Sequence, residues 1–426
     1  MLRLVALFTI TVAACGFPKL QPAGEGSGNG DAGGSGSGSG GVCAASTALR
    51  CDGNTLVSCN SDGTAEVQQS CALRCDASSL ACENKVDPSN GYAPQLDAAA
   101  TEPNIIISAN TSVIVTANYN ATTGTVQVGS QLVKATVVPG ANGGGEVLVM
   151  SVGSLTVAAG VTLTIEDESG NARLAAIMSA RDVTINGTIY EGASGLNSGN
   201  DPCTGVASNA AGADNDVPGG GGAGYGTAGG KGAGITLVAS PVNGGSPTGN
   251  VTLIPLRTGC WGGATGFGSG GNGGGAIQIT SGTKITIPAG GAIGAPGYGG
   301  YVNGGGGSGG SILLEAPIVS IGGGAYANGG SGGCGSFTGA DSSNGTLDTN
   351  PALGGPCDNN QSGGNGGTGT VAPQDGPTIA NVAGTKQYAG GGGGAVGRIR
   401  INTLDMTVAG TGTFSPAASK GVIAGR

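Results

Sequence analysis

Four stretches of the chain repeat one plan. Residues 174–192 read LAAIMSARDVTINGTIYEG and residues 276–297 read AIQITSGTKITIPAGGAIGAPG. Residues 311–329 are SILLEAPIVSIGGGAYANG, and 398–415 are RIRINTLDMTVAGTGTFS. Each contains a short strand, a polar or Pro/Gly bend, a second strand of Thr/Ser–Ile/Val type, a Gly turn and a third short strand. Apolar positions correspond between copies. Ile177, Ile279, Leu313 and Ile401 mark the first strand, and Val183/Ile185, Ile285/Ile287, Val319/Ile321 and Met406/Val408 mark the second. The offset between the two sets is six residues in three copies and five in the last.

Three short strands in about 20 residues, each with one inward stripe, describe one coil of a parallel β-helix. Alternation puts Ile285 and Ile287 on one face and turns Lys284 and Thr286 outward. One coil cannot bury its own inward row, so equivalent positions must stack on neighbouring coils. An open sheet or sandwich would not explain a three-strand unit recurring at fixed length. Upstream, IIISANTSVIVTANY and EVLVMSVGSLTVAAGVTLTI continue the β-branched texture, and no capped 3.6-residue period follows the N-terminal leader. The expected fold class is all-β, a right-handed parallel β-helix over residues 105–419.

The segments between coils are nearly all glycine, which supplies 94 of 426 residues. That is about three times the usual share, and without a G-X-Y period it would ordinarily argue disorder. Val, Ile, Leu and Thr clustered between the glycines argue against it. Structureless loops of this length are unusual in a compact domain. Glycine backbones can approach closely and adopt extended polyproline-II geometry. The long corner loops, GYGGYVNGGGGSGG among them, are therefore expected to pack side by side in a polyglycine-II-like layer. Cys203–Cys260 between loops and Cys334–Cys357 within the longest loop are the disulfides this arrangement suggests.

The chain opens MLRLVALFTITVAAC. Arg3, an apolar run from Leu4 to Ala14 and small residues before Cys15 have the form of a secretory signal peptide over residues 1–14. The Val12-Ala13-Ala14-Cys15 tail resembles a bacterial lipobox. That resemblance implies acylation of Cys15, and Gly16 after it implies export to the outer membrane. Residues 15–42 would form the lipidated N-terminus and a Gly/Ser linker, whose 18-residue core at 24–41 spans about 23 Å as a flexible coil. Cys43, Cys51, Cys59, Cys71, Cys75 and Cys82 then define a disulfide module over 43–82, too small to bury an adequate core unaided. Six cysteines allow 15 connectivities, and the spacing alone leaves the choice open. With no histidine and an export signal, disulfides are favoured over zinc. Residues 83–104 are expected to be a spacer, and 420–426 a C-terminal tail.

Residues that could carry chemistry are sparse. The absence of histidine removes Ser-His and Cys-His catalysis. Paired carboxylates can run glycoside hydrolysis if two of them flank a cleft. The candidates are Glu166-Asp167-Glu168, Asp201, Asp214-Asn215-Asp216, Glu315, Asp341, Asp358 and Asp375, with no pair singled out. Glu166-Asp167-Glu168 has the look of a solvated turn. Asp214-Asn215-Asp216 could offer oxygens to calcium, yet it lacks EF-hand and nonapeptide spacing, so a polar turn is expected and no metal site is assigned. Glycine strings of GxGxxG form open no helix after a strand, which dismisses nucleotide binding. Arg398 and Arg400 alternate with Ile399 and Ile401 and should face solvent; a clamp on carbohydrate carboxylates is the sharper alternative. Trp261 beside Cys260 is expected to pack on a disulfide. A net charge of −9 gives no footprint for nucleic acid.

Taken together, the lipobox, the Gly/Ser spacer, the cysteine module and runs such as GGGAIQITSGTKITI and GGGGGAVGRIRINT resemble Gly-rich surface lipoproteins of myxobacterium-type bacteria. The β-helical part is similar in architecture to the pectin-lyase-like superfamily, and the glycine segments resemble those at the tips of some phage adhesins. The resemblance implies fold and location. No lyase residues carry over, because no matching Asp/Arg/Lys constellation is present. The expected function is that of a non-catalytic, lipid-anchored protein of the outer membrane or cell surface, with a structural, adhesive or envelope-interaction role. Its expected partners are the membrane, through the lipid, and glycan or protein ligands; no cofactor is expected. The alternative is a polysaccharide lyase or glycoside hydrolase on the same scaffold.

Overall fold

The computed structural model describes residues 43–114, 118–140, 145–166, 174–192, 203–208, 216–336, 342–357, 361–382 and 385–426. The expected signal segment, Cys15 and the expected Gly/Ser linker lie outside the described residues.

The chain is nearly all β, and most of its strands belong to three sheets. Glu146–Val152, Leu174–Ser179, Ala276–Ser281, Ser311–Glu315, Arg398–Thr403 and Ser419–Val422 stack in parallel as the first sheet. Antiparallel strands Gln131–Pro139, Thr125–Val128 and Tyr119–Asn120 extend its beginning. Parallel strands from Asn104–Ile107 to Val408–Ala409 make the second sheet, and those from Thr111–Ile114 to Thr413–Ser415 make the third. From Glu146 onward the chain visits first, second and third sheet in that order five times.

Register sets the core. Ile177, Ile279, Leu314 and Ile401 are successive partners in the first sheet. Val183, Ile285, Val319 and Val408 are partners in the second, and Ile189, Ile293, Ala325 and Phe414 in the third. Two expected positions are thereby corrected. Leu313 is the partner of Gln278 and Arg400 and faces away from this core, one residue off the anticipated stripe. Met406 has a left-handed backbone (φ 61°) and is half exposed, so Val408 alone takes the second-sheet position. The bends between strands absorb the differences in length, so equal offsets are not enforced.

The middle strands of the first sheet are buried on both faces: every residue of Leu174–Ser179, Ala276–Ser281 and Ser311–Glu315 is buried. Their outward side chains Val147, Val149, Leu174, Ala176, Met178 and Leu313 form a second core with Val86, Tyr92, Leu96, Leu253, Leu256 and Ile423. The segment expected to be a spacer is thus built into the fold. It carries the strand Val86–Asp87 and the short helix Ala93–Ala98, where Pro94 fits the first turn and Leu96 is buried. The tail is anchored as well: Ala424–Gly425 pairs antiparallel with Val86–Asp87. No helix among the described residues is long and apolar enough to cross a membrane.

The glycine segments form a hydrogen-bonded layer. Along 304–310, the amides of Gly304, Gly307 and Gly310 donate to the carbonyls of Tyr301, Tyr298 and Ala295. Those of Gly305 and Ser308 donate to Gly263 and Cys260, and those of Gly306 and Gly309 to Gly392 and Ala395. Three neighbouring segments are addressed in turn, and the pattern repeats every third residue, the period of polyproline-II backbone. Elsewhere Gly391, Gly394 and Gly397 donate to Gly333, Gly330 and Ala327, and Gly259, Gly262 and Thr265 to Gly274, Gly271 and Gly268. Because neighbours close in from all three directions, a side chain has nowhere to go. A Cβ added at Gly305, Gly306 or Gly307 would collide with the carbonyl oxygen of Gly221, Gly330 or Asn272.

Disulfides pin both regions. Cys43–Cys59, Cys51–Cys75 and Cys71–Cys82 staple the N-terminal module around a small antiparallel sheet of Ala48–Asp52, Thr55–Cys59 and Glu66–Ser70. In the glycine layer, Cys203 is bonded to Cys260 and Cys334 to Cys357.

Candidate functional site

Each glycine hairpin leaves the sheets and turns back after several residues. From Gly310, next to the first-sheet strand, to Gly304 at the turn is six residues, about 19 Å in polyproline-II geometry. At these far turns side chains return, some buried, as Val302 and Asn303 are, and some exposed, as Phe267 and Tyr301 are. The turn at 265–268 sits on that at 301–303: the Tyr301 amide donates to the Ser269 carbonyl at 2.9 Å, and Thr265 Oγ1 donates to Asn303 Oδ1. On the returning strand of a third hairpin, the Tyr388 ring meets Phe267 edge-on, with centroids 5.2 Å apart and planes at 81°. Lys386 Nζ stands 4.2 Å above the Phe267 ring and 5.4 Å from that of Tyr388. Phe267 is 39% exposed and Tyr301 61%.

A chain with 3% aromatics therefore sets the Phe267–Tyr388 pair under one cation, with the exposed Tyr301 on the adjoining turn. The cation–π contacts hold Lys386 over the rings and fix an amphipathic surface. Such a surface can stack on the apolar face of a sugar ring while the ammonium and backbone serve its hydroxyls. No family profile, curated protein or solved structure matches this chain.

The residues singled out from the sequence fall elsewhere. Glu315 lies on the outer face of the first sheet, sealed under the 88–92 segment. Its carboxylate accepts from the Ser89 amide and hydroxyl, Gln278 Nε2, Thr280 Oγ1 and Asn402 Nδ2 at 2.6–3.1 Å. Burial pushes this carboxyl above its ordinary range, against the downward pull of the Ser89 and Asn402 donors. Buried in this way, it braces the fold. Asp216 is buried and accepts from the Gln387 amide at 2.8 Å. Asp375 accepts from the Lys231 amide at 2.6 Å, and Glu166 is exposed at the end of Thr162–Glu166. Asp167, Glu168, Asp201, Asp214, Asn215, Asp341 and Asp358 lie outside the described residues.

Arg398 is not a solvated strand-face residue. Segment 225–248 covers it, and its Nε and Nη2 donate to the Thr248 carbonyl at 3.3 and 3.0 Å. Arg400 is partly buried and donates to Asn402 Oδ1. Trp261, partly buried, follows the disulfide-bonded Cys260. The turn aromatics were not anticipated. Their one signal was an aromatic near glycine runs, and nothing in the sequence showed that Phe267 and Tyr388 meet.

Proposed function

We propose that this protein is a lipid-anchored protein of the bacterial outer membrane or cell surface that binds glycans through the outer turns of its glycine layer. The three sheets would constitute a right-handed parallel β-helix, and the glycine segments a polyglycine-II-like sandwich standing on one corner of it. Acylated Cys15 and the Gly/Ser linker would hold the stapled module and the helix clear of the membrane. This is the arrangement that the resemblance to Gly-rich surface lipoproteins implies.

The observation that carries the ligand assignment is the contact of Phe267, Lys386 and Tyr388 at the far end of the layer, with the exposed Tyr301 on the adjoining turn. Aromatic anchors of this kind dominate recognition energetics. The test is a survey of neutral and acidic glycans with purified full-length protein and with the Phe267→Ala/Tyr301→Ala double variant. The variant should bind its best glycan about tenfold more weakly, the loss of about 1.4 kcal/mol. Equal binding by both proteins contradicts the assignment. Cleavage of a glycan, abolished by changing one carboxylate, would replace it with the lyase or hydrolase alternative. Anchoring has a separate test: Cys15→Ala should release the protein from membranes, and unchanged sedimentation would refute acylation.

A further inference from the structure

At the opposite, inner end of the glycine layer lies a cleft of about 420 Å³, between the last first-sheet strands and the turns at 226–227 and 368–372. This is within the size range of small-molecule sites. Its walls are largely apolar, including Val251, Val371, Ile399 and Pro416. Two polar side chains in the lining stand out. Arg398 has its Nε and Nη2 tied to backbone carbonyls of Thr248 and Tyr225, and its guanidinium carbon lies 5.9 Å from the centre of the Tyr225 ring. Among the described residues no carboxylate lies within ion-pair distance of it, and Nη1 makes no hydrogen bond. Thr368 is 4% exposed, and its Oγ1 has no hydrogen-bond partner among the described residues.

A cation fixed in place by neutral carbonyls keeps its charge uncompensated, in a chain whose net charge is −9. A buried hydroxyl without a partner is likewise costly. One carboxylate would answer both, accepting from the guanidinium and from the threonine hydroxyl. The lining also carries the hydroxyls of Thr227, Thr370 and Ser419, the last already donating to the carbonyls of Val251 and Ile399. The rest is valine, isoleucine, alanine, proline and glycine, against which a polyol's hydroxyls would be desolvated. We infer that this cleft binds a monocarboxylate with an apolar body, the carboxylate on Arg398 and Thr368 and the hydrocarbon along Val251, Val371 and Ile399. The site is independent of the glycan surface at the outer turns.

Calorimetric titration of the full-length protein with octanoate, octan-1-ol and glucuronate tests this. Octanoate should bind saturably with one-to-one stoichiometry, and the other two about tenfold or more weakly. Arg398→Gln keeps a donor for the Thr248 carbonyl but removes the charge, and should weaken octanoate about tenfold. Val371 is 38% exposed at the cleft, so Val371→Trp can fill the space without touching the arginine, and should also abolish binding. This second variant decides the matter should Arg398→Gln fail to fold. The inference is overturned by the absence of saturable octanoate binding, by glucuronate binding as tightly as octanoate, or by octanoate binding unchanged in Val371→Trp.

Discussion

Ser89 and Glu315, 226 residues apart, are joined twice: the Ser89 amide reaches one carboxylate oxygen at 3.0 Å and its hydroxyl the other at 2.6 Å. The contact locks the 83–104 segment onto the first sheet through a fully buried acid. Glu315→Ala would leave the side-chain amides of Gln278 and Asn402 without this acceptor and should cost roughly 3 kcal/mol. Denaturant unfolding of the two proteins measures it.

The same acid gives stability a pH dependence of defined sign. Burial raises the folded-state value of Glu315 above that of the unfolded chain. Its contribution is therefore fully present below the unfolded value, about 4.3, and is lost as pH rises through the folded one. Melting temperatures of wild type and Glu315→Gln across the acid-to-neutral range should show the variant gaining on wild type as pH rises. A constant difference would contradict the assignment.

Asp97 has the opposite sign. Hydrogen bonds from Arg426, and then from Lys85, pull its carboxyl down to about 2. The stability it lends is present above the unfolded value and is lost as pH falls through about 2. Lys85 is largely solvated and Arg426 and Asp97 partly so, and Asp97→Asn should cost at most about 1 kcal/mol at neutral pH. Unfolding at neutral pH and near pH 2 should show that gap closing in acid.

Glycine identity in the layer can be tested by adding one methyl group. Gly306→Ala places its Cβ against the Gly330 carbonyl and should destabilise by about 1–3 kcal/mol. Gly266, on the outer turn, has nothing within 4 Å of a built Cβ. Its replacement by alanine should change stability by less than about 0.5 kcal/mol. Parallel melts of the two variants suffice.

The Cys203–Cys260 bond spans 57 residues of sequence. Closing a loop of that length is worth about 4 kcal/mol in the chain-entropy description. The Cys203→Ala/Cys260→Ala variant should lose about 2–4 kcal/mol, measured by denaturant unfolding.

Much of this architecture was legible because one period governs it. Ile279, Ile285 and Ile287 could be placed from alternation alone, since a stacked coil must turn that stripe inward. Leu313 was misplaced because SILLE offers adjacent apolar residues, and alternation cannot choose between Leu313 and Leu314 when both faces are buried. That ambiguity was itself informative: near-continuous apolar strands indicate a sheet covered on both sides. The cover is the segment with Tyr92 and Leu96, which reads as a linker because its partners are more than 50 residues away. The outer-turn cluster was illegible for a similar reason. Phe267 and Tyr388 meet, and Tyr301 stands on the adjoining turn, only because separate glycine segments stand side by side.

Amide hydrogen exchange across 304–310 and 389–397 tests the packed glycine layer most directly. Every amide of 305–310 has a carbonyl partner on a neighbouring segment, and that of Gly304 closes the turn onto Tyr301. These amides, with those of Gly391 to Gly394 and Gly397, should exchange at least about a thousandfold more slowly than free peptide. Exchange at free-peptide rates throughout both stretches would contradict the layer, and with it the platform on which the outer turns stand.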